Sequence, residues 1–155
     1  MSRYFRRGTS KIMVVPTVAA DDPTDAELSA GVDISDHIAD ISGFSLTNNP
    51  ITTPDLATTF DSQIEGNDTT DASSFTLYDD DDTETVRTLL AKGTENVIVL
   101  MPYGRVPAKR LETWRVRSTG ANDQWSMSAE AAKFVVGLAI LETPNQDSVV
   151  PATVP

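Results

Sequence analysis

The sequence predicts a mainly β protein: a two-sheet sandwich or barrel of about seven or eight strands with one flanking α-helix. Short runs rich in β-branched and aromatic residues recur along the 155-residue chain, as they do in sandwiches and barrels. Polar connectors rich in Pro, Asn and Asp separate these runs. Helix signals are few, and the length suits one domain with a real core.

The predicted strands begin with residues 11–16, KIMVVP. Residues 37–46 form a second extended segment whose alternation breaks near Asp40 and Gly43, as a β-bulge requires. Residues 56–65, LATTFDSQIE, alternate most regularly. One face of that segment is mainly apolar and the other is polar, which predicts a half-buried strand. Its polar face contains Asp61, Gln63 and Glu65.

Four further strands are predicted later in the chain. Residues 73–78 are short and β-prone, and residues 111–118 place Trp114 and Val116 on one face. Residues 96–103 and 131–141 are apolar on both sides, so both of their faces are expected to be covered. These strands complete the count of about seven.

The polar connectors set the predicted boundaries. Residues 1–10 are expected to form an N-terminal arm, residues 11–142 the β domain, and residues 143–155 an extended C-terminal arm with three prolines and no core pattern. Residues 47–55 form a polar connector with two prolines, and long loops between strands are often functional.

Two short helices are indicated. Residues 24–31 contain a capping box, Thr24 and Glu27, and a terminating glycine. The second helix follows four consecutive aspartates in residues 78–93, YDDDDTETVRTLLAKG. We expect Asp81 at the N-cap and Glu84 at the third helical position, where it reaches back to the cap. An EF-hand would need a central glycine and a glutamate at position twelve, and both are missing.

Composition argues against most kinds of catalytic site. The chain has no cysteine and one histidine, which leaves little for thiol chemistry, zinc or nucleophilic triads. No phosphate-binding loop, nucleophile elbow or metalloprotease motif is present. We therefore expect no enzyme activity, no cofactor and no metal site. No apolar run reaches membrane-spanning length, and the first one is too short for a convincing signal peptide.

Charge is unevenly distributed. The formal net charge is −11, and residues 12–86 contain 17 acidic residues and no Lys or Arg. Residues 1–11 contain four basic residues and no acid. Such segregation predicts either a surface that avoids polyanions or one that meets a basic surface on another copy.

Several segments, in this order and spacing, resemble the tail tube proteins of siphophages, also called major tail proteins, of the actinobacteriophage type. They are DISDHIADISGFSL, TPDLATTFDSQIEGNDTTDASSFTLYDDDD, GTENVIVLMPYG and AAKFVVGLAILETP. The resemblance spans most of the chain, and no single motif is diagnostic. It implies the tail tube fold, with six copies in a ring and one sheet of each subunit joining a barrel around a lumen.

The resemblance also implies where the protein acts and with what. Rings stack into a tube in the virion tail, assembled in the host cytoplasm, with no membrane involved. The implied partners are other copies of the chain, the tape measure protein, the tail terminator and the distal tail proteins. DNA passes through the lumen without specific binding, which suits a long segment without bases because each Lys or Arg contact to phosphate adds affinity.

Site residues follow from combining the resemblance with the strand pattern. The expected lumen-lining residues are Asp61, Gln63, Glu65 and Asp40. The expected ring-stacking residues are Arg3, Phe5, Arg6, Arg7, Asn48 and Asn49. External solvent remains an alternative environment for the polar face of residues 56–65.

Two alternative classes stay open. One is another ring-forming virion or secretion protein of the same fold, such as a tail terminator, a head decoration protein or a type VI secretion ring protein. The other is a secreted carbohydrate-binding β-sandwich, which would need clustered exposed aromatics. The sequence has only ten aromatic residues and shows no such cluster.

Overall fold

The computed structural model of the protein describes residues 3–19 and 22–152. It confirms a mainly β fold. The strands are β1 (Lys11–Val15), β2 (Val32–Asp33), β3 (Ile38–Ser42), β4 (Leu46–Asn48), β5 (Ile51–Thr53), β6 (Ser62–Ile64), β7 (Asp68–Thr70), β8 (Ser73–Tyr78), β9 (Glu95–Met101), β10 (Arg110–Gln124), β11 (Lys133–Ile140) and β12 (Asn145–Val149). Two short helices, α1 (Asp25–Ser29) and α2 (Thr83–Leu89), and a 3-10 turn at Ser35–His37 complete the described part.

One antiparallel sheet organises the domain. Its strand order is β2-β1-β9-β10-β11-β8-β3, with β12 added beside β10. The strands predicted at 11–16, 73–78, 96–103, 111–118 and 131–141 are therefore confirmed. The predicted bulge in residues 37–46 is also present: the register of β3 against β8 shifts between Ile38 and Asp40, and Gly43 has a φ of 87°.

Strand β10 is the longest element and joins two parts of the sheet. One edge of β10 pairs with β9, and the other pairs first with β12 and then with β11. The register against β11 shifts between Ser118 and Gly120. Gly120 has a φ of 121°, a conformation that glycine adopts without steric cost. The shift allows one strand to serve both halves of the sheet.

Two apolar cores lie on opposite faces of β1 and β9. Ile12, Val14 and Ile98 point into the first core, which the curved sheet and α2 enclose around Trp114 and Phe134. The intervening residues belong to the second core, which α1 and the C-terminal segment cover; its members are Met13, Val15, Val18, Leu28, Val97, Val99, Met101, Leu111 and Val150. This confirms that residues 96–103 are covered on both faces.

For residues 131–141, which include β11, the prediction that both faces are covered is only half right. Phe134, Val136 and Leu138 are buried, whereas Gly137 is half-buried and Ala139 is exposed. The second face of β11 therefore lacks a covering layer within the subunit.

The C-terminal segment is not a separate arm over its described length. Residues Asn145–Val149 pair with β10, and Val150 is buried in the second core. The Val150 N–H donates to the Lys109 carbonyl, and the Ala108 N–H donates to the Val150 carbonyl. Its sequence, NQDSV, is mostly polar, so a search for apolar runs does not identify it as a strand. Residues 153–155 lie outside the described residues.

Helix α1 has the predicted capping box. The Glu27 N–H donates to the Thr24 hydroxyl, and the Thr24 N–H donates to the Glu27 carboxylate at 3.0 Å. The Ala19 N–H donates to the same carboxylate at 2.8 Å. The backbone donors of Thr24 and Ala19 lower the pKa of Glu27, because they stabilise its charged form.

The start of α2 differs from the prediction by one residue. The N-cap is Asp82, not Asp81, and the Asp82 side chain makes no capping hydrogen bond. Asp80 takes that role: its carboxylate accepts from the Thr83 N–H at 3.0 Å, and the Asp80 N–H donates to the Thr83 hydroxyl at 2.9 Å. Thr83 is buried, which holds its hydroxyl and its N–H next to Asp80. Glu84 then falls at the second helical position, so the predicted capping box is wrong.

The reciprocal bonds between Asp80 and Thr83 predict a specific stability effect. We expect Asp80→Ala to lower the free energy of unfolding by about 1 kcal/mol, the usual cost of losing a capping side chain. Asp81→Ala serves as the matched control and should leave it within about 0.5 kcal/mol of the wild type. Urea unfolding of the two variants measures both values. A larger loss for Asp81→Ala than for Asp80→Ala would contradict the assignment.

Candidate assembly surfaces

Residues 46–70 form one long β-hairpin that makes no contribution to either core. Strands β4 and β7 pair at its base, and β5 and β6 pair nearer the tip. The Asn49 N–H donates to the Asn67 carbonyl between the two ribbons. No residue of this hairpin is buried, so it projects from the domain.

A bulge interrupts the hairpin midway. Pairing runs from Asn48 with Asp68 to Ile51 with Ile64, which leaves Pro50 opposite two residues. Pro50 has no N–H to offer a ladder. A Cβ on Gly66 would collide with the Asn49 carbonyl oxygen. Glycine at position 66 therefore lets the two arms approach closely.

The predicted stacking residues Asn48 and Asn49 brace the hairpin internally. The Asn48 amide donates to the Gly66 carbonyl at 3.0 Å and to the Asp68 carboxylate at 2.6 Å. The Asn49 amide donates to the Asn67 carbonyl at 3.2 Å and to the Thr69 hydroxyl at 3.3 Å. Both side chains hold the two arms in register.

The tip is locally ordered and presents apolar side chains to solvent. The Asp55 carboxylate accepts from the N–H groups of Ala57 and Thr58, both at 2.9 Å, which is an Asx-type turn. Leu56 is fully exposed and Phe60 is 76% exposed. Clustered exposed apolar side chains mark interaction sites in soluble proteins.

The hairpin corrects the prediction for residues 56–65. They were expected to form a half-buried strand, but only Ser62–Ile64 is a strand, and all of its residues are exposed. Leu56, Phe60 and Ile64, which were expected to point into the core, are exposed instead. Asp61, Gln63 and Glu65 therefore lie on the projecting hairpin rather than on the main sheet.

Asp40 lies elsewhere, on a polar face of the main sheet. In register across β3, β8, β11 and β10 stand Asp40, Thr76, Val135 and Asn122. The next row contains Ser42, Ser74, Gly137 and Gly120. We call these two rows the polar sheet face. The reverse side of the same strands holds buried core residues, so this sheet is polar on one side and apolar on the other.

The N-terminal segment is anchored but exposed. The Tyr4 and Tyr103 rings lie 5.0 Å apart, and the Ser10 hydroxyl donates to the Pro102 carbonyl at 2.7 Å. Phe5 is 87% exposed. The other predicted stacking residues, Arg3, Arg6 and Arg7, are exposed too. These four predicted residues are thus exposed in a segment that is anchored next to residues 102–104.

A further exposed loop, residues 125–132, was not predicted. Trp125 is 91% exposed and Met127 is fully exposed. The loop borders a cavity of about 240 Å³; its lining is Asp79, Asp123, Gln124, Trp125, Ser126, Glu130, Ala131, Ala132 and Lys133. An isolated Trp and Met within the polar run NDQWSMSAE were the available signal.

Arg87 fixes the wall of that cavity. Its guanidinium lies 2.6 Å from the Asp123 carboxylate and 3.8 Å from that of Asp79. It also stacks over the Phe134 ring at 4.3 Å. The hydrogen bond to Asp123 raises the pKa of Arg87. Helix α2 is thereby tied to the end of the sheet where β10 and β11 meet.

The described residues offer no group of three or more His, Asp or Glu side chains arranged for a metal ion. Among the same residues, no helix is both long and apolar enough to cross a membrane.

Comparison with known proteins gives one family match and similar solved structures. A family model described as phage tail tube protein matches residues 1–153. A chain of the six-fold symmetrised cryo-EM structure of the anti-feeding prophage baseplate shares the fold, with a TM-score of 0.61 and 10% identity over 94% of this chain and 97% of that one. A chain of the SPP1 phage Dit protein crystal structure has a TM-score of 0.39 and 12% identity over 83% of this chain and 48% of that one. No curated protein matches the sequence.

The bulge predicts how the hairpin responds to one added methyl group. We expect Gly66→Ala to force the arms apart and to increase the rate of proteolytic cleavage within residues 46–70 several-fold. The melting temperature should change little, because the hairpin makes no contribution to either core. Thr52→Ala, an exposed change in the same ribbon, is the control and should cleave like the wild type. Equal cleavage rates for Gly66→Ala and the wild type would contradict the constraint.

Proposed function

Because the chain belongs to the phage tail tube protein family, whose members are structural proteins of the virion tail, we propose that it builds the tube of a siphophage tail. In this proposal six copies form a ring, and rings stack into a hollow tube through which phage DNA is delivered. The six-fold symmetry named for the baseplate of similar fold supports the ring number.

The observation that carries the proposal is the projecting hairpin. A two-stranded ribbon without a core is only marginally stable in water, yet this one exposes Ile51, Leu56, Phe60 and Ile64. Burial of one large apolar side chain stabilises a contact by about 1.5–3 kcal/mol. Packing of the hairpin against a neighbouring copy would supply that burial and order its arms.

The uncovered face of the sheet suits the wall of the lumen. The polar sheet face contains one acid, Asp40, and no Lys or Arg in either of its two rows. Within these two rows, DNA phosphates meet no cation whose contact would release counterions and add affinity. Lys133 and Arg117 stand in the rows on either side, opposite Gln124 and Ala139. We therefore propose this face, with Asp40, as the lumen lining. Asp61, Gln63 and Glu65 on the hairpin are the alternative lumen residues.

The proposed partners follow from the tube. Other copies of the chain lie beside, above and below each subunit, the tape measure protein occupies the lumen during assembly, and terminator and distal tail proteins meet the two tube ends. A terminator of the same fold would make a single ring and stop. Negative-stain electron microscopy of the purified protein separates the two functions, because tubes are expected only from a tube subunit.

If the exposed hairpin tip contacts a neighbouring copy, removing its apolar side chains should impair assembly. We expect Leu56→Ser combined with Phe60→Ser to raise the protein concentration needed for tube formation at least about 100-fold, since the change removes two buried apolar contacts per subunit. The melting temperature of the unassembled subunit should stay unchanged.

Thr52→Ser combined with Thr59→Ser is the matched control, because it alters exposed hairpin positions and removes only one methyl group at each. Sedimentation and negative stain at a series of concentrations measure the threshold. Tubes from the Leu56/Phe60 variant at the wild-type threshold would exclude the tip from the contact.

The lumen assignment predicts an effect on DNA release. We expect Asp40→Lys with Asn122→Lys to give tubes of normal length and phage particles that release DNA more slowly, because each lysine would contact passing phosphates. The slowing should weaken at higher salt.

Asp61→Lys with Glu65→Lys is the comparison variant on the hairpin. Normal DNA release from that variant and slow release from the sheet variant supports the polar sheet face as the lumen lining. The reverse result would instead assign the lumen to Asp61 and Glu65. Release is timed on particles whose tails have equal length by electron microscopy.

A further inference from the structure

Basic side chains are concentrated at one end of β10. Residues 3–11 and 102–110 together contain seven Lys and Arg residues and no acid. The two segments are in contact through Tyr4 with Tyr103 and through Ser10 with Pro102. Residues 102–110 lead directly into β10 at Arg110. We call these two segments the basic end.

Acidic side chains are concentrated at the other end of β10. Residues 79–84 and 123–130 together contain seven Asp and Glu residues and no Lys or Arg. Arg87 bridges Asp79 and Asp123, and the Asp79 N–H donates to the Ala132 carbonyl. The second segment begins where β10 finishes, at Gln124. We call these two segments the acidic end.

Intramolecular pairing neutralises only part of each end. At the basic end, Lys11 pairs with Asp33 and Arg105 with Asp25. At the acidic end, Arg87 bridges Asp79 and Asp123 and offsets one of their two charges, and His37 lies 3.9 Å from Asp80. Within the described chain, no ion pair involves the remaining charged groups, which are Arg3, Arg6, Arg7, Lys109 and Arg110 at one end and Asp81, Asp82, Glu84 and Glu130 at the other.

No ion pair links the two ends among the described residues. Fourteen residue steps, at most about 45 Å along the strand, separate Arg110 from Gln124, and the Debye length at physiological salt is about 8 Å. Each end also presents a strongly exposed aromatic ring: Phe5 at the basic end and Trp125 at the acidic end. Opposite charge and apolar area at opposite ends favour contact between copies.

We propose that the basic end of one copy docks on the acidic end of another copy. In this contact, Arg6 and Arg7 meet the carboxylates around Asp81 and Glu130 that form no ion pair within the described chain, and Phe5 packs beside Trp125. Because different surfaces meet, the contact is head-to-tail and repeats without closing on a pair. The inference rests on the proposed tube function and names the surfaces through which successive rings recognise each other.

Charge reversal tests the contact directly. The first variant carries Arg6→Glu and Arg7→Glu, and the second carries Asp81→Lys and Glu130→Lys. We expect each variant alone to need at least about tenfold more protein to assemble, because like charges then face each other. An equimolar mixture should assemble near the wild-type threshold, since each variant supplies the end that the other needs. Assembly of wild type should weaken as salt increases.

The outcomes separate this contact from the tube function. If wild type forms tubes and either variant alone forms them equally well, or if the mixture of two folded variants stays unassembled, the docking contact is wrong and the tube function stands. Duplex DNA binding that the first variant loses while its assembly is normal would assign the basic end to a polyanion and overturn the contact.

Cross-linking tests the same contact even if wild type forms no tubes. The chain has no cysteine, so Phe5→Cys and Trp125→Cys chains can be joined by a short bis-maleimide. We expect the mixture to give a cross-linked dimer in excess of either chain alone. Phe5→Cys with Ile41→Cys is the control pair, because Ile41 is an exposed residue of β3. Equal yields from both pairs would overturn the proposed contact.

Discussion

The structure depends on the burial of β1 and β9 from both faces. Alternate residues of these two strands enter two separate cores, one inside the curved sheet and one beneath α1 and the C-terminal segment. A strand fixed on both sides cannot slip in register without moving apolar side chains between cores. The centre of the sheet is therefore rigid, and it is the frame from which the polar sheet face, the hairpin and both ends of β10 are presented.

The hairpin of residues 46–70, in contrast to β1 and β9, is buried on neither face. Its arms are held by backbone pairing and by the amides of Asn48 and Asn49, while its apolar side chains join neither core of the subunit. Such an element is ordered locally and leaves apolar area free for contact with another molecule. In the proposed tube, the association energy lies in a segment that the fold itself does not require.

Sequence patterns predicted the elements that contribute apolar side chains to the cores of the subunit. Continuous apolar runs located β1, β9 and β11, and the Thr24–Glu27 capping box located α1. Alternation failed at residues 56–65, because a stripe of Leu56, Phe60 and Ile64 reads the same whether it faces its own core or another molecule. Asn145–Val149 was missed because this strand is mostly polar and its backbone pairing leaves no apolar pattern in the sequence. The N-cap of α2 was placed one residue too early because the local sequence does not show that Thr83 is buried.

The distribution of charge along the sequence differs from its distribution on the folded surface. The segment of residues 12–86 has no base, yet Lys11, Arg87 and Arg105 reach its carboxylates from outside it, so part of the apparent segregation disappears on folding. What remains is located at particular surfaces: four acids on the hairpin, and opposite signs at the two ends of β10. The proposed docking contact uses the polarity that the fold retains, because in head-to-tail copies both ends meet their complement at once.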